Sequence, residues 1–195
     1  MKVEYNYYFW GPLLFRTTLQ EEDIIAIKKL CKKEESNTYV QSLAGVIDHE
    51  YTVDHIKLSK IIDKYLVAFR QASTKYYNSN CPRLNINDAW VNYMKKGDSN
   101  PPHVHPTCDI SSVMYLDVPN ELLEEQKQWQ GRGGGPGAIT FVNQTPSPGF
   151  IGSNVFKPET GDFFIFPSML THMVATFKSD VERVSLSANF TFSNE

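Results

Sequence analysis

The stretch RVSLSANFTF, residues 183–192, reads as a β-strand with two unlike faces. Arg183, Ser185, Ser187 and Asn189 fall on one side, and Val184, Leu186, Ala188 and Phe190 on the other. The split follows because successive side chains of a strand point to opposite sides of its sheet. The apolar side needs a hydrophobic layer, and the helices earlier in the chain are the candidates. The polar side then looks into a barrel, where an arginine is costly unless it holds an anion. Arginine clamps a carboxylate through two parallel N–H donors, and Ser185 adds a hydroxyl on the same face.

Outward from this strand, the chain from about Pro82 is a series of short β-prone runs. AWVNYM, ISSVMYLDV, GAITFVN, DFFIFP and THMVATF alternate with Gly, Pro and Asn. Short strands with turn signals between them predict a sandwich or barrel. GRGGGPG, residues 131–137, lacks the spacing and the Lys-Ser/Thr ending of a phosphate loop.

The first part of the chain is helical in texture. A strand is expected over Tyr5 to Leu14, with a turn at Gly11-Pro12. Thr18 followed by Glu21 is a capping box, and Ile24, Ile25, Ile27, Leu30 and Cys31 then form a stripe. Leu58, Ile61, Ile62, Tyr65, Leu66 and Phe69 define a second, stronger helix. These helices are too short to bury their stripes on each other. The expected fold is therefore α+β but mainly β, a jelly roll or double-stranded β-helix with N-terminal helices packed on one face. One domain is expected over 1–195, with about 1–80 supporting and about 82–193 forming the jelly-roll core.

Composition removes several classes of function. Of 195 residues, 41% are hydrophobic and 21% charged, which argues against disorder. A net charge of −3 provides no basic field for nucleic acid. The lysines 28, 29, 32 and 33 read as a solvated helix face. Cys31, Cys81 and Cys108 are too few for a disulfide framework and suit a reducing cytoplasm. The opening MKVEYNYYFWGPLLFR lacks an uninterrupted apolar region, and no run has the length of a membrane span. Oligomerisation leaves no evident mark.

The histidines carry the chemistry. NPPHVHPTCD, residues 100–109, places His103 and His105 at alternate positions, so that on one strand both aim at one point, as a metal or an acid/base site requires. His172, in GDFFIFPSMLTHMVATF, opens a strand among apolar neighbours, where an imidazole is either hydrogen-bonded or bound to a metal. Its distance in sequence from His103 suits two strands on opposite sides of one jelly-roll cavity. His49 and His55 lie in the helical half near charges and are read as ordinary residues.

NPPHVHP, SSVMYL, GDFFIFPSMLTH and ERVSLSANF, in this order, resemble the 2-oxoglutarate and Fe(II)-dependent oxygenases. Within them the nearest likeness is to a bacterial and phage group with a His-x-His-Pro motif. The motifs span roughly Trp90 to Asn189, and the helices match only in general character. The resemblance implies Fe(II) as cofactor, 2-oxoglutarate as co-substrate and ascorbate as a supporting reductant. It matches His103 and His172 to iron ligands, with Gly97-x5-His103 similar to the spacing in prolyl hydroxylase-like members. Arg183 and Ser185 match the carboxylate-binding pair, and Tyr115 a tyrosine that bonds the same carboxylate. The implied reaction couples 2-oxoglutarate decarboxylation to succinate with oxidation of a small-molecule or peptidyl substrate.

One position departs from the pattern. Most of the superfamily has Asp or Glu where this chain has His105. His105, a water or Asp109 could fill that ligand position, and strand alternation favours His105. Two rival readings stay open: a three-histidine jelly-roll dioxygenase that needs no 2-oxoglutarate, and a non-catalytic metal- or ligand-binding module. Phe163, Ile165 and Phe166 are expected as an apolar wall that keeps water from the site. The loop from Asn120 to Gly137 reads either as a lid or as a solvated insertion.

Overall fold

A computed structural model of the protein describes residues 11–34, 47–143 and 152–193. Two antiparallel sheets face each other. The major sheet has six strands in the order β1-β8-β5-β10-β3-β2: β1 (Phe15–Thr18), β8 (Asp162–Pro167), β5 (Ile110–Asp117), β10 (Arg183–Phe192), β3 (Leu84–Met94) and β2 (Glu50–Thr52). The minor sheet is β4-β9-β6-β7: β4 (Asn100–His103), β9 (Thr171–Val174), β6 (Ile139–Val142) and β7 (Ser153–Phe156). This is the expected double-stranded β-helix.

Helices α1 (Glu21–Lys28) and α2 (His55–Tyr77) cover the outer face of the major sheet. The α2 stripe of Leu58, Ile62, Tyr65, Leu66 and Phe69 is buried, as its spacing predicts. It packs in one cluster with Met114, Leu116, Phe163, Ile165, Leu186, Ala188 and Phe190, the apolar positions of β5, β8 and β10. Asp54 caps α2 by accepting from the Lys57 N–H, and Asn78 closes it in the left-handed conformation. The inner face of the major sheet meets the minor sheet in a second cluster that includes Tyr115, Phe164, Phe166, Ile139 and Phe141.

Four expectations are corrected. Most of the strand expected over Tyr5–Leu14 lies outside the described residues; residues 12–14 carry no regular structure, and the first described strand begins at Phe15. Thr18 does not cap α1. It ends β1 opposite Asp162, and the Leu19 N–H donates to the Gly161 carbonyl, so the sheet claims it before the helix begins. The segment 120–137 is not all loop, because Asn120–Gln128 forms helix α3. Within the wall Phe163, Ile165 and Phe166, strict alternation turns Phe163 and Ile165 to the helices and leaves Phe164 and Phe166 inside.

Candidate active site

Between the sheets lies a cavity lined by His103, His105, His172, Tyr115, Arg183 and Ser185, together with Trp90, Asn92, Asn100 and Phe166. All six candidate residues from the sequence thus face one space. The three histidines each offer a ring nitrogen, and these nitrogens lie within 4.8 Å of one another.

β4 and β9 position two of them. His103 stands directly opposite His172 on the neighbouring strand of the same sheet, not across the cavity as expected, and their ring centroids are 4.2 Å apart. Strands β4 and β9 pair irregularly between Asn100 and His103, where Pro101 and Pro102 supply no N–H to the ladder. His105 does not share that strand, contrary to expectation. β4 ends at His103, and Pro106 interrupts further pairing. His105 is held instead by its N–H, which donates to the Ser168 carbonyl at 2.9 Å. Its ring still converges, 5.1 Å from that of His103 and 5.2 Å from that of His172.

The tautomers follow from chemistry. His103 Nδ1 lies 2.7 Å from the Pro101 carbonyl and His172 Nδ1 lies 2.9 Å from the Leu170 carbonyl. A carbonyl can only accept, so each Nδ1 carries the proton and each Nε2 keeps a free lone pair. That is the form in which a second contact orients a metal-binding imidazole. Burial, reinforced by the neighbouring rings, pushes His172 down to about 3 and His105 to about 4, and burial lowers His103 as well. The cluster is therefore three neutral nitrogen donors at neutral pH, a set that suits a first-row metal such as iron. Asp109 does not line this cavity, and its Oδ2 accepts from the Phe192 N–H at 2.8 Å.

The other end of the cavity has the opposite character. Arg183 is 2% exposed, and its Nη1 donates to the Gly137 carbonyl at 3.1 Å while its Nε has no partner among the described residues. Among the described residues no carboxylate pairs with it. Its guanidinium lies 5.2 Å from the Tyr115 ring centroid, and the fully buried Tyr115 hydroxyl likewise has no hydrogen-bond partner among the described residues. Burial raises Tyr115 to about 12, so it is a neutral donor. Ser185 is directly opposite Tyr115 in the β10–β5 pair. A buried cation beside an unmatched hydroxyl donor is built for an anionic oxygen group.

Sequence reasoning missed Trp90, Asn92 and Asn100. Trp90 and Asn92 carried a signal, since in AWVNYM they fall on the face opposite Val91 and Tyr93. Asn100 carried none.

Across the two-sheet jelly roll, His103 and His172 on the minor sheet, with His105 beside them, share a cavity with a buried arginine on the major sheet. The family described as "Putative 2OG-Fe(II) oxygenase" matches residues 88–189, just over half of the chain. The chain belongs to this enzyme family. Solved structures agree on the fold. A prolyl-4-hydroxylase from Pseudomonas putida is similar with TM-score 0.58 and 17% identity, over 93% of each chain. An oxidoreductase of the 2OG-Fe(II) oxygenase family from Burkholderia pseudomallei has TM-score 0.56 and 18% identity, over 89% of this chain and 79% of that one. The viral collagen prolyl hydroxylase of Paramecium Bursaria Chlorella virus-1, solved as a 2OG complex, has TM-score 0.56 and 14% identity, over 91% and 94%. No curated protein sequence matches the chain.

Proposed function

We propose that this protein, as one domain, is a 2-oxoglutarate- and Fe(II)-dependent oxygenase. It couples decarboxylation of 2-oxoglutarate to succinate with oxidation of a small-molecule or peptidyl substrate. The observation that carries this reading is Arg183: a buried guanidinium without a carboxylate partner, on the wall of the cavity that holds the three histidines. The 2OG complex of the similar viral collagen prolyl hydroxylase supports the choice of co-substrate.

His103 and His172 would hold iron through Nε2, with His105 in the third position. Bound iron supplies oxygen activation. Arg183, Ser185 and Tyr115 bind the far carboxylate of 2-oxoglutarate and so fix its keto-acid end toward the histidines. Phe166, Ile139 and Val113 line the space between and exclude water. At the arginine end, the Gly137 carbonyl orients Arg183.

The all-imidazole donor set favours one second reading. Without a carboxylate ligand the metal keeps its full charge, which suits a three-histidine dioxygenase without 2-oxoglutarate, or a metal-binding module. Arg183 weighs against both, because neither needs a buried anion clamp. The test is succinate release. With Fe(II), ascorbate and oxygen, the protein should convert 2-oxoglutarate slowly to succinate without any further substrate. Iron binding with no succinate above a His172→Ala control would instead favour the module.

A further inference from the structure

Glu50 is 1% exposed, and among the described residues neither carboxylate oxygen has a hydrogen-bond partner. It sits in β2, at the edge of the major sheet, directly opposite Asn92 of β3. Directly opposed residues of an antiparallel pair share a face, and Asn92 lines the cavity. The next residue, Tyr51, confirms the side: it packs in the helix-facing cluster, with its ring edge-on to Tyr93 at 5.9 Å. Ile47, three residues before Glu50, also lines the cavity.

The register extends this into a row. Glu50 opposes Asn92, Asn92 opposes Ser185, and Ser185 opposes Tyr115. The row therefore starts at the co-substrate pocket and ends at Glu50, two strand spacings or roughly 10 Å beyond Ser185. Among the described residues both Glu50 oxygens are unmatched, and so is the buried Oδ1 of Asn100 on the cavity lining. Asp98 adds a second negative charge that acts on Glu50. Among the described residues neither acid is in a salt bridge.

A buried carboxyl and a buried amide oxygen left unmatched, with the charge of Asp98 nearby, call for a group rich in donors and positive. An ammonium has three N–H donors and a guanidinium five. We propose that Glu50, with Asn100 and Asn92, recognises a positively charged nitrogen group, ammonium or guanidinium, on the substrate to be oxidised. This rests on the oxygenase reading, since it places the cation beyond the co-substrate in the same cavity. In the free protein burial pushes Glu50 up to about 8, so the arriving cation also stabilises its ionised form.

The test is calorimetric titration of the full chain with agmatine, putrescine and L-arginine, and with L-citrulline as a neutral shape control. At least one cationic probe should bind, and citrulline should bind at least about tenfold more weakly than arginine if arginine is that probe. Glu50→Gln should weaken the bound cation by about tenfold or more. It should leave 2-oxoglutarate affinity unchanged and melt at or above the parent temperature, because the carboxyl it replaces makes no hydrogen bond among the described residues. Asn100→Leu should weaken the same probe without touching the acid. The proposal is overturned if no cationic probe binds, if both variants bind cations as the parent does, or if Glu50→Gln unfolds readily. Succinate release without any probe reads on the oxygenase assignment separately. Glu50-dependent cation binding without succinate would keep this subsite and sink that assignment. Succinate with cation binding indifferent to Glu50 would do the reverse.

Discussion

The two faces of the major sheet use the same strands in opposite ways. On the helix side, Leu186, Ala188, Phe190, Met114 and Phe163 are wholly buried against α1 and α2 and carry no polar atom. One residue away on the same strands, Arg183, Ser185 and Tyr115 are as deeply buried, yet Arg183 and Tyr115 leave donors unmatched. Unmatched buried polar groups cost stability. The helix side therefore carries the stability, and the cavity side holds groups whose partners arrive with the reaction. Substitutions on adjacent residues should accordingly act on different properties.

The largest effect is expected in the cavity. His172→Ala removes a donor of the cluster and should lower Fe(II) affinity by more than the ~10–100-fold typical of losing an outer-shell partner, read by calorimetry. His103→Ala should do the same, and His105→Asp, which places a carboxylate at that position, should keep iron bound. Parent-like iron binding by both alanine variants would show that the cluster is not the metal site.

On the helix side, Leu58→Ala should cost about 2–5 kcal/mol in urea denaturation, as large-to-small core substitutions do. The folded protein should keep its iron affinity. A loss of iron binding at unchanged stability would erase the contrast between the two faces. The smallest effect is expected at Ile25, which is half exposed on α1. Ile25→Ala should change stability within about 0.5 kcal/mol, as surface substitutions usually do.

This division also explains what could be read in the sequence. β10 and α2 were legible because each is long enough to show its period, 2 for the strand and 3.6 for the helix. His172 was legible as a costly residue in apolar company, His103 from its alternation with His105, and Arg183 from a strand pattern that turns it into the barrel. Thr18 misled because its hydroxyl and Glu21 satisfy a local helix signal, while a long-range pairing with Asp162 decides its role. α3 was read as loop because NELLEEQKQ buries only Leu122 and Gln126. Glu50 was invisible for a related reason. β2 has three residues, and nothing local in EYT tells that β3 will bury its acid.

The central claim is that the unmatched donors around Arg183 await a carboxylate of 2-oxoglutarate. Titration of 2-oxoglutarate into the Mn(II)-loaded protein, parent against Arg183→Met, tests it most directly. Methionine replaces the guanidinium with an apolar chain of similar length, and removal of a buried unpaired charge should leave folding stability equal or higher. Loss of the bidentate pair should weaken 2-oxoglutarate on the order of a hundredfold. Arg183→Lys should fall between, since lysine offers a point charge without the fork. Saturable binding in the parent, nearly lost in a well-folded Arg183→Met, is the predicted result. Equal 2-oxoglutarate affinity in the two proteins would contradict the account.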